Sequence, residues 1–181
     1  MPAIEVKSPT IFQRALIIFI SLLIATLALM GAKTVFSGSS MTFFAGTPPT
    51  NIGIHSGKLA PCPTTPNCVN SQSQEAEHKI EPFTYNSSSE KAMSDLKKVI
   101  QSFKRTKIIT ETKNYLYAEF TIPIVGFGDD VEFYLDKGAK LVHVRSASRL
   151  GESDLGVNRR RIETIRAKLN EVRTNASTQT K

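Results

Sequence analysis

The sequence has no tryptophan, only two cysteines and only three histidines among 181 residues. A structural zinc site needs four ligands at characteristic spacings, and His55, His78 and His143 do not provide them. The chain also lacks a phosphate-binding loop, a dinucleotide-binding glycine fingerprint and a nucleophile elbow. We therefore expect no metal and no cofactor.

Acidic residues are fewer than basic ones, 16 against 23, which gives a net charge of +7. The excess is local, because residues 158–181 contain seven basic and two acidic side chains. A basic protein often binds nucleic acid. Since the sequence places the domain outside the cell membrane, as argued next, we expect no nucleic-acid partner.

The chain contains one long apolar run, from Ala15 to Ala32, with no charged residue among its 18 positions. As a helix this run would be about 27 Å long, close to the thickness of a bilayer core. A secretory signal usually has a shorter apolar stretch and a small residue three positions before the cleavage site, where Met30 would stand here. We therefore predict an uncleaved transmembrane helix over residues 15–32.

The flanking charges predict the orientation of that helix. Lys7, Arg14 and the amino terminus outweigh Glu5 before the run, whereas only Lys33 follows it closely. The positive-inside rule then keeps residues 1–14 in the cytoplasm. The predicted location is the cell (inner) membrane, single pass, with the C-terminal domain on the periplasmic or extracytoplasmic side.

The two cysteines, Cys62 and Cys68, are six positions apart in the segment CPTTPNC. Exported chains commonly pair closely spaced cysteines as disulfides. A redox pair more typically has the spacing C-x-x-C. We therefore predict a structural disulfide.

Three segments follow the apolar run. Residues 33–58 are rich in Gly, Ser, Thr and Pro and lack periodicity, which predicts a linker. Residues 59–173 contain the helix and strand patterns and form the predicted exported domain. Residues 174–181 are polar and predict a disordered tail.

Apolar residues at positions i, i+3, i+7 and i+10 predict amphipathic helices over 88–103 and 157–173. Between them, short alternating segments separated by turn residues predict an antiparallel meander. The predicted fold is α+β, a four-stranded antiparallel meander with two amphipathic helices on one face, preceded by an N-terminal transmembrane helix. The four strands are predicted at 107–112, 115–122, 130–135 and 140–146.

The register of the last two strands places polar residues together. A two-residue loop between them would put Asp130 opposite Arg145 and Glu132 opposite His143, on the face turned away from the helices. This polar face is the first candidate binding surface, although solvated cross-strand ion pairs would explain it equally well. By alternation the same face is predicted to carry Tyr115, Tyr117 and Glu119.

The second candidate is the arginine-rich run from Arg145 to Arg161, which leaves the last strand and enters the last helix. N–H groups at a helix start attract anions, and neighbouring arginines would strengthen that attraction. A phosphate, a carboxylate or a lipid headgroup would suit this surface. Across both candidates the predicted ligand-binding residues are Asp130, Glu132, His143, Arg145, Ser146, Arg149, Asn158 and Arg159.

Two motif blocks resemble a known family. Residues 59–72 read LAPCPTTPNCVNSQ, and the region 128–159 contains GDDVEF, VRSASR and GESDLGVNR. In this order they resemble the family called domain of unknown function 1499, over about residues 59–169. That resemblance implies an exported or membrane-linked domain, as found in bacteria and photosynthetic lineages, and implies no established activity.

Two functions are compatible with these patterns. The first is a membrane-anchored, envelope-facing binding or accessory domain, held by residues 15–32, that contacts an anionic small molecule, a lipid headgroup or an envelope protein. The second is a small hydrolase-like enzyme with Asp130 or Glu132 as general base and Arg145 as electrostatic stabiliser. A general base should lie beside open space, whereas a binding or structural role should leave these acids paired with arginine. A structural spacer without a ligand is a third reading.

The predicted topology can be tested in cells by thiol labelling. We expect Cys62 and Cys68 to resist a membrane-impermeant maleimide until a reductant is added, because they are bonded to each other outside the cytoplasm. A protease-sensitive tag at the C-terminus should be digested in spheroplasts without lysis. Free thiols together with a protected C-terminus would contradict the predicted topology.

Overall fold

The computed structural model describes most of the chain, and two compact units are distinguished, residues 1–41 and 42–181. Parts of the predicted cytoplasmic N-terminus, linker and tail lie outside the described residues. The described residues are 10–36, 45–122 and 126–178, without the side chains of residues 15, 28–36 and 176–178.

The first unit is described by one helix, α1 (Ile11–Phe36). Its N-terminus is capped reciprocally, because the Thr10 N–H donates to Gln13 Oε1 at 2.9 Å and the Gln13 N–H donates to Thr10 Oγ1 at 3.3 Å. The helix extends beyond the predicted residues 15–32 at both ends. Among the described residues, no helix combines the length and the apolarity that crossing a membrane requires.

Within the described residues, the second unit contains six strands and two helices. In chain order they are β1 (Cys68–Asn70), β2 (Phe83–Thr84), α2 (Ser89–Gln101), β3 (Thr106–Glu111), β4 (Tyr115–Thr121), β5 (Gly128–Asp136), β6 (Leu141–Ser148) and α3 (Val157–Thr178). The strands are antiparallel in the order β1-β6-β5-β4-β3, and β2 also pairs with β6. The α+β class with an antiparallel sheet is confirmed. The sheet, however, has six strands where four were predicted.

The two additional strands lie along the outer edge of β6. β1 places Val69 opposite Ser146, and β2 places Phe83 opposite Val142. They are three and two residues long. Strands this short show no alternation in the sequence, since their pairing comes from contacts distant along the chain.

The helices α2 and α3 pack on one face of the sheet. Leu96 and Ile100 of α2 and Ile162 and Ile165 of α3 are at most 1% exposed and join the main apolar core. α3 continues to Thr178, five residues beyond the predicted end of the helix. The apolar residues of β4, β5 and β6 on this face are all buried in the same core, namely Leu116, Ala118, Phe120, Val131, Phe133, Leu135, Val142 and Val144.

The predicted register between β5 and β6 is wrong by two residues. Glu132 pairs with Arg145, not with His143, and Asp130 pairs with Ala147. The cause is the turn, residues 137–140, which has four residues instead of two. Asp136 Oδ1 stabilises this turn by accepting the N–H groups of residues 138 and 139 at 2.8 and 3.0 Å. Because side chains alternate with period two, the shift leaves each residue on its predicted face.

Residues 45–57, here called the strap, belong to the segment that was predicted as a linker. Ile52 and Ile54 of the strap pack with Leu59 against a second apolar cluster that includes Tyr115 and Tyr117. The strap therefore covers the sheet face opposite the helices. That face was predicted to be a candidate binding surface, with solvated ion pairs as the alternative, and the structure shows it as a second buried layer.

The predicted disulfide between Cys62 and Cys68 is confirmed, with 5.7 Å between the two Cα atoms. Replacing both cysteines with serine should lower the free energy of unfolding by about 2 kcal/mol, because the bond closes a seven-residue loop in the unfolded chain. Chemical denaturation of both forms measures this loss. Reducing the wild-type protein should reproduce it, and an unchanged denaturation midpoint would contradict the prediction.

Candidate functional site

The charged residues of the strap-covered face form one group, called the acid–arginine cluster. β4 contributes two tyrosines and an acid, β5 contributes two acids, and β6 with the residue after it contributes two arginines. Alternation places all of them on the same side of the sheet. The members are Tyr115, Tyr117, Glu119, Asp130, Glu132, Arg145 and Arg149.

Glu132 is completely buried, and both of its carboxylate oxygens are occupied. Oε1 accepts the Tyr115 hydroxyl at 2.7 Å and the Gly53 N–H of the strap at 2.8 Å. Oε2 accepts Arg145 Nη1 at 3.3 Å. Burial raises the pKa of Tyr115 above its usual value, and the charge of Glu132 raises it further. Tyr115 is therefore a neutral donor to a carboxylate at all physiological pH values.

Arg149 is the hub of the cluster, and its side chain is only 3% exposed. It holds Asp130 in a two-pronged contact, with Nε 3.0 Å from Oδ2 and Nη2 2.7 Å from Oδ1. The same Nη2 donates to Glu119 Oε2 at 2.6 Å. Hydrogen bonding to Asp130 is the main cause of the raised pKa of Arg149. One guanidinium thus neutralises acids from two neighbouring strands.

Asp130 accepts a further hydrogen bond at 2.6 Å from the hydroxyl of Tyr117. Burial, and then this hydrogen bond, raise the pKa of Tyr117 to about 12. The cavities described below have no cluster residue in their walls. Asp130 and Glu132 therefore resemble structural ion pairs more than a general base beside open space.

Ser146 and Asn158, which were predicted as part of the arginine-rich run, lie on the helix-covered face, apart from the acid–arginine cluster. Ser146 Oγ donates to Asn158 Oδ1 at 2.5 Å, and Arg161 Nη1 donates to Ser146 Oγ at 3.0 Å. Arg161 also pairs with Asp129, which is fully buried. Asn158 Nδ2 donates to the Asn67 carbonyl at 2.9 Å, which ties the start of α3 to β1.

Asp129 and Arg161 were missed as functional candidates. A signal was present, because Asp129 and Asp130 are consecutive in a strand and must point to opposite faces. One of the two acids therefore had to enter the helix-covered core, where it requires a cation. Arg161, in the first turns of α3, supplies that cation.

The N-terminus of α3 was predicted to attract an anion. A carboxylate of the chain itself, that of Asp154, occupies this position. The Asp154 carboxylate accepts the Gly156 N–H at 2.9 Å and the Asn158 N–H at 2.7 Å. Arg159, predicted to strengthen the site, donates instead to the carbonyl oxygens of Glu77 and Lys79, both at 2.8 Å. These groups are engaged in holding loops together.

His143 lies on the strap-covered face but apart from the acids. Its ring stacks on Tyr134 with 6.0 Å between centroids, and Nδ1 is 3.2 Å from Ser71 Oγ. Burial lowers the pKa of His143 below its usual value, against a smaller opposing effect of Asp136. The ring is thus favoured in its neutral form.

A cleft of about 560 Å³ opens between the end of the strap and the loop after β1, and we call it the disulfide cleft. Its volume lies within the range of small-molecule sites. The lining residues are Asn51, His55, Lys58, Leu59, Ala60, Pro61, Cys62, Asn70, Gln72, Ser73, Glu75 and His78.

The walls of the disulfide cleft are fixed by amide side chains. Gln72 Oε1 accepts the Leu59 N–H at 2.9 Å, and Gln72 Nε2 donates to the Gly57 carbonyl at 3.2 Å. Asn70 Nδ2 donates to the Ala60 carbonyl at 2.9 Å. These bonds join both walls of the cleft before any ligand enters, so the cleft is preformed.

The two walls differ in charge. His55 and Lys58, at the turn of the first wall, have side chains that make no hydrogen bond or ion pair within the described part of the chain. On the opposite wall, buried His78 donates Nδ1–H to the Cys68 carbonyl at 3.0 Å and places Nε2 3.4 Å from Glu75. Lys58 is therefore a cation without an ion-pair partner among the described residues, and Glu75 is the acidic residue in the walls of the cleft.

Two other cavities are smaller, and Arg173 lines both of them. One of about 510 Å³ lies beside the N-terminus of α2, where Lys91 is paired with Asp95 at 2.8 Å. Another, beside β2, has about 100 Å³. Across the described residues, no group of three or more His, Cys, Asp or Glu side chains is arranged to hold a metal ion.

The fold and these networks define a disulfide-stapled α+β domain with arginine-bridged carboxylates buried on both faces of one sheet. The chain belongs to the family described as proteins of unknown function, DUF1499, whose family model matches residues 58–169. No curated protein matches the chain. The matched region includes the sheet, α2 and the Lys58 side of the disulfide cleft, and it begins directly after the strap.

Replacing Tyr117 with phenylalanine should lower the free energy of unfolding by about 2 kcal/mol, since it removes a buried hydrogen bond to a carboxylate. The matched control is Tyr134→Phe, because the Tyr134 hydroxyl makes no hydrogen bond within the described residues. Thermal or denaturant unfolding of both variants gives the comparison. Equal losses would show that the Tyr117–Asp130 bond contributes nothing.

The raised pKa of the Tyr117 hydroxyl predicts that the stability of the protein depends on pH. The folded pKa of Tyr117, about 12, lies above its ordinary value of 10.0. Its contribution to stability is therefore complete below pH 10 and is lost as the pH rises towards about 12. Unfolding measured between pH 8 and 12 should show a smaller alkaline loss for Tyr117→Phe than for the wild type, with Tyr134→Phe following the wild type.

Proposed function

We propose that this chain is a membrane-attached, envelope-facing binding domain whose polar or anionic ligand occupies the disulfide cleft. One observation carries the proposal, namely that the cleft is preformed and has at its rim the Lys58 ammonium and the His55 imidazole, neither of which has a partner within the described residues. Preformed concave sites with a few converging polar groups are typical of small-molecule binding. An anion at this rim would gain charge-assisted hydrogen bonds that the free protein lacks.

The acid–arginine cluster supports binding over hydrolysis. A general base must reach a substrate proton directly or through one water molecule. Asp130 and Glu132 are at most 1% exposed, and their oxygens accept hydrogen bonds from arginine and tyrosine. The cluster acts in this proposal as a rigid support for the cleft.

Attachment to a membrane through residues 15–32 stays a prediction from the apolar run, and two observations support it. Apolar side chains of α1 are widely exposed, for example Phe19 at 66% and Leu22 and Leu27 at 61%. A bilayer would cover such side chains at little cost. The Cys62–Cys68 disulfide is typical of an oxidising compartment outside the cytoplasm.

Lys58→Gln should weaken ligand binding by about 10- to 100-fold, since a hydrogen bond to a charged group contributes about 1.5–3 kcal/mol. Native mass spectrometry of the detergent-extracted full chain measures the small molecule that co-purifies. Lys104→Gln, at an exposed position outside the cleft, is the matched control and should retain the ligand. A ligand retained equally by both variants, or wild-type protein without one, contradicts the proposal.

A further inference from the structure

We propose that the loop between β6 and α3, residues 149–156, docks on the surface of the bilayer that holds α1, with Leu155 as its apolar anchor. In this loop, here called the leucine loop, leucine side chains enter the headgroup region while neighbouring arginines contact lipid phosphates. The inference rests on the membrane attachment proposed above and adds a second contact with the same bilayer. It is independent of the disulfide cleft, whose walls contain no residue of this loop.

Leu155 has two properties that are unfavourable for a leucine in a free protein. It is 84% exposed, more than any other large apolar residue of the described part of the sheet domain. Its φ is 53°, in the left-handed region that residues other than glycine and asparagine seldom adopt. Residues that break local rules in this way, without stabilising the fold, occur preferentially at functional sites. An apolar environment outside the protein would explain why a leucine stands here.

Hydrogen bonds hold the leucine loop in this conformation. Ser153 Oγ accepts the Leu155 N–H at 3.3 Å, and Arg160 Nη1 donates to the Leu155 carbonyl at 2.8 Å. Earlier in the loop, the Gly151 carbonyl accepts Asn67 Nδ2 at 2.6 Å. Because the loop is fixed at both ends, the exposed position of Leu155 is built into the fold, and no rearrangement is needed before it meets a partner.

The leucine loop leaves the sheet at the end where the chain enters the domain, which we call the entry end. The Gly128 carbonyl accepts the Arg149 N–H at 3.1 Å, and the Gly128 N–H donates to the Ala45 carbonyl at 3.2 Å. Thr121 pairs with Gly128 and donates its N–H to the Arg105 carbonyl at 2.9 Å. The start of the strap, the leucine loop and the connection between α2 and β3 are therefore neighbours at this end.

A short stretch of chain connects α1 to the entry end. Residues 37–44 separate Phe36, the last residue of α1, from Ala45. Even fully extended, this stretch spans at most about 30 Å. With α1 held in the bilayer, the entry end stays within that reach of the membrane, so docking of the loop is an intramolecular event at a high effective concentration. A bilayer is thus always available to Leu155, whereas a protein partner would have to be recruited.

The exposed side chains of the entry end match the chemistry of an anionic lipid surface. Leu150, at 40% exposure, adds a second leucine to the loop. Within the described residues, the exposed Arg105 side chain makes no hydrogen bond or ion pair, and the exposed Arg160 side chain bonds only to the Leu155 carbonyl. Glu152 is an exposed acid of the same loop. Apolar side chains flanked by cations bind anionic bilayers at the level of the headgroups.

The chain contains no tryptophan, so one introduced tryptophan reports only on its own surroundings. The test uses Leu155→Trp and, separately, Leu150→Trp in the full chain, reconstituted into vesicles of phosphatidylcholine and phosphatidylglycerol in equal parts. Lipids with brominated acyl chains quench tryptophan at close range. Lys137→Trp, in the exposed turn at the opposite end of the sheet, is the matched control. We expect quenching in the loop to be at least about twofold stronger than in the control, because leucine-loop side chains lie at the headgroup boundary.

Two further variants separate docking from folding. Leu155→Asn, added to Leu150→Trp, replaces the anchor with a residue that tolerates positive φ, so it should abolish the quenching without lowering the midpoint of thermal unfolding. Arg105→Gln, added to Leu155→Trp, should lower the ratio of docked to undocked protein about fivefold, read from the quenched and unquenched fluorescence lifetimes. Its matched control is Lys140→Gln, since Lys140 is exposed at the opposite end and has a φ of 54°, close to the 56° of Arg105.

Circular dichroism and the intact disulfide establish that each variant is folded. Tryptophans in the loop that are not quenched would overturn the proposal, and an emission shift on adding an envelope extract instead would indicate a protein partner. Quenching that survives Leu155→Asn would also overturn it. Phe19→Trp in α1 tests the attachment itself: quenching there but not in the loop refutes docking alone, and quenching at neither place refutes the attachment as well. The Lys58→Gln experiment reads a co-purified small molecule, so the ligand proposal can fail separately.

Discussion

The contact between Arg149 and Asp130 is the interaction on which the strap-covered half of the domain depends. Arg149 follows the last strand and reaches back across the sheet to Asp130 and Glu119, and its Nη1 contacts the carbonyl of Ala45 in the strap. Removing one partner of a buried ion pair costs about 3–5 kcal/mol, because the other charge remains in a low-dielectric environment. This one side chain therefore joins β4, β5 and the strap. Its positive charge offsets the cost of covering Asp130 and Glu119 with the strap.

The opposite face follows the same physical rule with different residues. Asp129 turns towards the helices, because it neighbours Asp130 in a strand, and it is neutralised by Arg161 from the first turns of α3. Asn158 in turn links that helix to the carbonyl of Asn67 beside the disulfide. An arginine from outside the strands thus neutralises a buried acid on each face of the sheet, Arg149 on one face and Arg161 on the other.

The comparison with the sequence predictions shows which signals are reliable. Period-two alternation assigned Glu132 and Arg145 to one face correctly, and this survived a register error of two residues. The error arose because turn length depends on local hydrogen bonds of Asp136 that composition does not reveal. The strap was read as a linker because its Gly, Pro and Ser content resembles one, whereas its contacts with the sheet come from backbone groups and from Ile52 and Ile54.

The sequence by itself determined two helices and four of the six described strands of the domain, the disulfide pair, the two chemically distinct faces of the sheet and the family. Those features are encoded in local periodicity and in motifs of contiguous residues. Only the tertiary structure decided that Ser146 bonds to Asn158 and Arg161, that Arg159 donates to loop carbonyls, and that Lys58 stands without an ion-pair partner beside a cleft. Each of these features depends on which residues, distant in the chain, come into contact and on how far their polar groups are removed from water. Neither can be read from the order of residues in the sequence.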